Sequence, residues 1–182
     1  MGFSFRIRPG TAADIPAIAR AYAQSWKSTY EGIAPPAFVE GLTEKAAAEI
    51  FAQSLLPNSF SYSLYVAEAE GQIVGFCDGG KERSDPSRGA GELYAIYLLK
   101  EFQGRGIGRE LFKAVASNLR QSGLKPLIVW VLEKSPYRRF YETLGGKILP
   151  GVKTLNAAGE KVNLVSYSWA IGHQQINPFE KQ

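Results

Sequence analysis

Between a strand-like run, Glu92 to Leu99, and a helix-like run from about Ile107 to Leu119 lies Gln103-Gly104-Arg105-Gly106-Ile107-Gly108. Three glycines at alternate positions let a backbone approach a ligand closely, because no Cβ stands in the way. The helix that follows turns its unpaired N–H groups and its positive dipole end toward that loop. Strand, glycine loop and helix tip therefore predict an α/β chain with a cradle for a pyrophosphate. A mononucleotide P-loop requires Gly, four residues, then Gly-Lys-Ser or Gly-Lys-Thr, and no such string occurs. The dinucleotide fingerprint G-x-G-x-x-G, begun at Gly104, meets Arg109 at its third glycine position and fails. What remains is Gln-x-x-Gly-x-Gly, with Arg105 and Arg109 beside the glycines.

A second segment follows in order. Leu127 to Leu132 is an apolar run short enough for a strand buried on both faces. Ser135-Pro136 then reads as a helix cap with proline at the first helical position. Tyr137, Phe140, Tyr141 and Leu144 recur at helical spacing on one apolar face, and Gly145-Gly146 ends the helix. Together, the glycine loop and the string from Glu133 to Gly146 resemble the two signature segments of the GCN5-related N-acetyltransferase (GNAT) superfamily.

That resemblance implies a single-domain α/β (α+β) acyl-CoA N-acyltransferase fold over residues 1–172, with a polar tail at 173–182. The expected order is β-α-α-β-β-β-α-β-α-β-β. Phe3 to Arg8 makes the first strand, and Thr11 with Asp14 resembles a capping box ahead of the first helix. After a break from Gly32 to Pro36, a second helix runs from about Thr43 to Ser54. A turn falls at Pro57-Asn58, a hairpin covers Ser63 to Gly79, and a late hairpin covers Lys147 to Leu155 and Lys161 to Ile171. In this fold the mixed central sheet, flanked by helices, splays between its fourth and fifth strands, here Glu92 to Leu99 and Leu127 to Leu132. The cosubstrate implied is acetyl-CoA, whose pantetheine arm bonds to exposed backbone around Ile96, Tyr97 and Leu98 as an added strand would. Its phosphates fall to Gln103, Gly104, Arg105, Gly106, Ile107, Gly108 and Arg109. Ser135, Arg138 and Phe140 of the second segment complete the expected cofactor site, although family members commonly carry asparagine where Ser135 stands.

The chemistry implied is direct acyl transfer to an amine. A primary aliphatic amine has a pKa near ~10, so a proton must leave before attack. The resemblance places Tyr141 near the coenzyme sulfur as the acid. It suggests Glu92, eleven positions before Gln103, as the base; a water chain is the other route. Trp26, Tyr30, Trp130 and Tyr167 are candidates to line the acceptor pocket, with Glu31, Asp78 and Asp85 as anchors for a cationic amine. The alternatives are a non-catalytic acyl-CoA-binding sensor and an acetyltransferase toxin directed at charged tRNA.

Composition limits these choices. A chain of 182 residues can bury one substantial core. No apolar run nears the roughly 20 residues that span a membrane, so no membrane partner is expected. The first residues lack a signal-peptide core, and Arg6 breaks the myristoylation pattern begun at Gly2. A lone cysteine, Cys77, excludes an internal disulfide and offers no metal framework. The expected location is the cytoplasm. A net charge of +4 is too mild to favour nucleic acid, and its arginines near the two segments suit an anionic cofactor. His173 is the one histidine, which argues against a Ser-His-Asp hydrolase. A homodimer is an admissible assembly.

Overall fold

The computed structural model describes residues 3–55 and 62–169. β1 (Phe5–Pro9) leads through a short 3-10 turn into α1 (Ile15–Tyr30). Arg8 on β1 forks onto the Asp14 carboxylate with two hydrogen bonds of 2.8 Å. Asp14 also accepts the Thr11 backbone N–H at 2.9 Å. The expected capping box is therefore present, tied back to the sheet by a charged fork that favours planar bidentate pairing. α2 (Pro36–Glu40) and α3 (Glu44–Ser54) follow. Thr43 caps α3 by accepting the Ala46 N–H at 3.1 Å.

The remaining elements are β2 (Ser63–Ala69), β3 (Gln72–Lys81), β4 (Gly91–Leu98), α4 (Ile107–Gln121), β5 (Leu127–Leu132), α5 (Arg138–Thr143), β6 (Lys147–Ile148), β7 (Lys153–Ala157) and β8 (Glu160–Trp169). The sheet runs β1-β2-β3-β4-β5-β8-β6, with β7 also on β8. Every described pairing is antiparallel except β4 with β5.

Two apolar layers hold the sheet. α4 presents Ile107, Leu111, Val115 and Leu119, one per turn and all fully buried, to one face. Each such side chain contributes about 1.5–3 kcal/mol of burial. On the other face Ile18 of α1 and Phe51 of α3 pack with Leu64, Val66, Ile73 and Phe76.

The parallel pairing of β4 and β5 covers only Gly91↔Leu127, Glu92↔Ile128 and Leu93↔Val129. Beyond it the two strands have no paired residues, so the expected splay is present. A bulge marks the same place. Asp78 pairs with Ala95 and Gly79 with Leu93, which leaves Tyr94 as the extra residue on β4. An extra residue bends its strand and re-aims its side chain.

Three expectations change. The break at Gly32 to Pro36 contains the start of α2, because Pro36 suits a first helical turn. The first arm of the late hairpin is two strands, β6 and β7, both paired with β8; Pro150-Gly151 interrupts them, and proline has no N–H to give a ladder. The helix expected at Ser135 begins at Arg138. Ser135 instead closes the preceding turn by accepting the Tyr137 N–H at 3.2 Å. Pro57-Asn58, the last two residues of the late hairpin, His173 and the tail at 173–182 lie outside the described residues.

Candidate active site

Where β4 and β5 part, a cavity of about 430 Å³ opens. One wall is β4 from Tyr94 to Leu98; the facing wall is Val129, Trp130 and Val131 of β5. Gln103, Gly104, Gly106, Gly108 and Arg109 close one end. Gln103 fastens that loop to the strand by donating its side-chain N–H to the Leu98 carbonyl at 3.0 Å. Gly104 and Gly106 have φ of 73° and 85°, the left-handed region in which a Cβ is strained. Gly106 sits at the N-cap of α4, so the loop delivers the helix tip, with its free N–H groups, to the cavity mouth.

The second segment forms another wall through Ser135, Tyr137, Phe140, Tyr141 and Leu144. Ser25, Thr29 and Tyr30 of α1 bound the opposite side. The cavity thus joins a glycine cradle to an unpaired strand edge. That combination fits a long, thin, anionic-ended molecule, and acetyl-CoA is one.

Ile96, Tyr97, Leu98, Gln103, Gly104, Gly106, Gly108, Arg109, Ser135, Phe140 and Tyr141 are brought together as the sequence predicts. Three expected cofactor residues are not on the cavity wall. Arg105 turns away and stacks its guanidinium over Phe3 at 4.4 Å from the ring centroid, a cation–π contact that orders the loop from outside. Ile107 is fully buried in the core, so only its backbone faces the loop. Arg138 donates to the Tyr167 hydroxyl at 3.1 Å and to the Glu133 carbonyl at 3.0 Å, which ties α5 to β8.

Glu92 also departs from expectation. It is 2% exposed and does not line the cavity. Its carboxylate accepts the Arg83 backbone N–H at 2.8 Å and the Arg83 guanidinium at 3.1 Å. An oxygen pair held this way has its lone pairs committed, which is a poor arrangement for taking a proton from a substrate.

Tyr141 has the opposite character. It is buried at the cavity wall against Phe140, Tyr167 and Trp169, and no hydrogen bond reaches its hydroxyl among the described residues. Burial pushes its phenol well above the usual tyrosine range, with Tyr30 and Cys77 adding to the rise. The group stays protonated and free to donate. Near it, Tyr30 and Tyr97 join their hydroxyls at 3.0 Å.

Of the acceptor-side candidates, Tyr30 and Trp130 line the cavity. Trp26 packs on Tyr30 with ring centroids 4.5 Å apart. Tyr167 is buried between Arg138 and Glu142. Glu31 is exposed, and Asp85 caps a surface turn through Ser87. Asp78 is buried behind the wall, where its Oδ2 accepts the Tyr62 hydroxyl at 2.9 Å. Sequence reasoning did not find the Tyr62 and Tyr30–Tyr97 partnerships. Alternation on β4 and helical spacing on α1 do show which face each tyrosine takes, but not which hydroxyls meet. Among the described residues no group of His, Cys, Asp and Glu could hold a metal ion.

Residues 61–145 match the model of the acetyltransferase (GNAT) domain. An uncharacterized N-acetyltransferase, YuaI of Bacillus subtilis (strain 168), is 33% identical over 164 residues, spanning 90% of this chain and 91% of that one. The chain belongs to the GNAT acetyltransferase family. Membership brings the activity class with it: acetyl transfer from acetyl-CoA to an amine. Solved GNAT proteins share the fold. The acetyltransferase YncA of Salmonella typhimurium, solved with acetyl-CoA, aligns with a TM-score of 0.71 at 20% identity, over 94% of this chain and 96% of that one. The PaiA N-acetyltransferase of Thermoplasma acidophilum, solved with coenzyme A, aligns with a TM-score of 0.66 at 18% identity, over 91% and 99%.

Proposed function

We propose that acetyl-CoA lies in the cleft between β4 and β5 with its phosphates on the loop ahead of α4, and that Tyr141 serves the coenzyme sulfur as proton donor. The unpartnered Tyr141 hydroxyl, at the wall of a cleft with a free strand edge, carries this reading. The β4 backbone from Ile96 to Leu98 offers its groups to the pantetheine amides. An N–H from the same stretch meets the thioester carbonyl and stabilises the oxyanion as it forms. Tyr141 donates to the sulfur as negative charge builds there. Because its phenol is held above the usual range, full proton transfer waits for the charge that the reaction itself brings into the cavity. Glu92 receives no part in proton transfer; with Arg83 it fixes the start of β4.

The acceptor enters from the α1 side, past Ser25, Thr29, Tyr30, Tyr94 and Trp130. Hydroxyls and aromatic rings there suit a small primary amine: rings attract its cationic form, and hydroxyls accept its N–H bonds. The protein works in the cytoplasm, where acetyl-CoA is available. Among the described residues no helix is long and apolar enough to cross a membrane.

Calorimetry with acetyl-CoA, followed by free-thiol release against a panel of amines, tests the reading. Binding together with amine-dependent thiol release is expected. Binding with no release against any amine would turn the reading to a sensor. Salt-dependent affinity for tRNA would turn it to the toxin.

A further inference from the structure

The acyl-transfer reading leaves the amine's first proton without a destination, since Glu92 is committed to Arg83. Four buried carboxylates are found among the described residues: Asp14, Asp78, Glu82 and Glu92. Asp14 clamps Arg8 at the far edge of the sheet. Glu82 lies beyond the end of β3, with Ser84 on one oxygen and Arg88 3.9 Å from it. Asp78 alone sits beside the β4 bulge, paired across the strands with Ala95 where the splay begins. It is 6% exposed; Tyr62 occupies Oδ2, while Oδ1 is buried with no hydrogen-bond partner. A buried acceptor with spare capacity is costly unless something uses it.

Asp78 pairs with Ala95, which lines the cavity, and Tyr22, Tyr62 and Tyr97 pack with Ala95 in the same apolar layer. Tyr22 of α1 packs on Tyr97 with ring centroids 4.8 Å apart and on Phe76 at 5.2 Å. Its phenol is raised by burial first, then by the charges of Asp78 and of Tyr30, so it stands within electrostatic reach of both. Tyr30 and Tyr97, hydroxyls 3.0 Å apart, line the cavity itself. A hydroxyl accepts one proton while donating another, and a single water can bridge a gap between two such groups.

We propose that Asp78 is the proton acceptor for the incoming amine, reached from the cavity through the Tyr30–Tyr97 hydroxyl pair and Tyr22. The protons balance as follows. The acceptor ammonium gives one proton to this chain of hydroxyls, and the proton at its far end lands on Asp78. The neutral nitrogen attacks the thioester carbon, the carbon–sulfur bond breaks, and the second nitrogen proton ends on sulfur by way of Tyr141. Asp78 then releases its proton to solvent.

Burial holds the Asp78 carboxyl up to about 7, against the lowering effects of Tyr62 and Arg83, a value suited to a base at neutral pH. The titratable and charged groups facing it are Tyr62 just before β2, Cys77 beside it, Arg83 after β3, Tyr94 from β4 and Tyr22 from α1. Of these, Arg83 is charged at every relevant pH, and burial holds the tyrosines and the thiol neutral. One titration near neutrality therefore belongs to Asp78.

This inference rests on the acyl-transfer reading, and the test separates the two. Thiol release from acetyl-CoA is measured with benzylamine, cationic at neutral pH, and aniline, neutral there, at pH values on both sides of about 7. In Asp78→Asn, benzylamine turnover at neutral pH should fall ~10²-fold, what remains following the fraction of neutral amine, while aniline turnover changes little and acetyl-CoA still binds. Tyr22→Phe, which keeps the ring and its packing, should lower the benzylamine reaction in the same selective way and covers the case of an unfolded Asp78 variant. Equal losses with both amines would overturn the proposal. Should neither amine react, infrared titration decides: a protonated-carboxyl band that appears as pH falls through neutrality and vanishes in Asp78→Asn supports it, and no such band rejects it. Failure of wild-type protein to bind acetyl-CoA would instead reject the underlying reading.

Discussion

The cavity has two sides, built in different ways. The side toward α4 and α5 comes from two short stretches of chain, 103–109 and 135–144, in which neighbouring residues supply glycine turns, helix tips and the Tyr141 hydroxyl. The side toward α1 and α3 is assembled from remote parts. Tyr30 meets Tyr97 across 67 positions, Tyr62 meets Asp78 across 16, and Trp130 arrives from β5. A cofactor common to a whole family is held by local motifs. The acceptor side has no such common ligand, and its contacts are long-range packing. Substitutions on the two sides should accordingly fail in different measurements.

The largest effect should come from the loop. Gly106→Glu puts a Cβ at φ 85° and an anion beside the phosphates, so calorimetry should show acetyl-CoA affinity falling at least ~100-fold, a loss of about 2.7 kcal/mol or more. The added Cβ meets no atom within 4 Å, which assigns the loss to backbone strain and charge rather than to a clash. Retained affinity would break the assignment of this side to the cofactor.

Tyr141→Phe should leave acetyl-CoA affinity unchanged and lower kcat by ~10²-fold, as expected for removal of a proton donor, read by thiol release at saturating cosubstrate. An equal loss in binding would move Tyr141 from chemistry to packing.

Asp78 supplies a stability measurement that needs no substrate. Its carboxyl rises from 3.8 to about 7 on folding, so the folded state binds the proton more tightly. Stability then falls as pH climbs through that window. Asp78→Asn should remove that slope and raise unfolding free energy above neutrality by about 2–4 kcal/mol in urea titrations. A slope unchanged by the substitution would place the titration elsewhere.

The smallest effect belongs to Arg105→Ala. Its guanidinium lies over Phe3 and not on the cavity wall, so acetyl-CoA affinity should change by less than ~3-fold, under 1 kcal/mol. A tenfold loss would return Arg105 to the phosphates.

The same contrast explains what could be read in advance. Glycines, an apolar run at 127–132, and an i, i+3, i+4 stripe ending at Leu144 are local signals, and they located β5, α4 and much of the cavity wall. The bulge at Tyr94 was not legible, because it depends on how β3 and β4 register across a connection of nine residues. Arg105 and Arg138 were misplaced for a related reason: a charge near a motif does not reveal whether an aromatic ring or a tyrosine hydroxyl competes for it. Glu92 kept its predicted position on β4 and lost its predicted freedom, since Arg83 approaches from a segment that carries no pattern of its own.

β4 and β5 share three residue pairs and then part, so the sheet is sewn at one end and open at the other, like a placket. Whatever lies in the opening becomes its missing stitches. On the proposed reading, a donor bound there adds its binding energy to the hold between the two strands, so the protein should melt at a higher temperature with the thioester than without it.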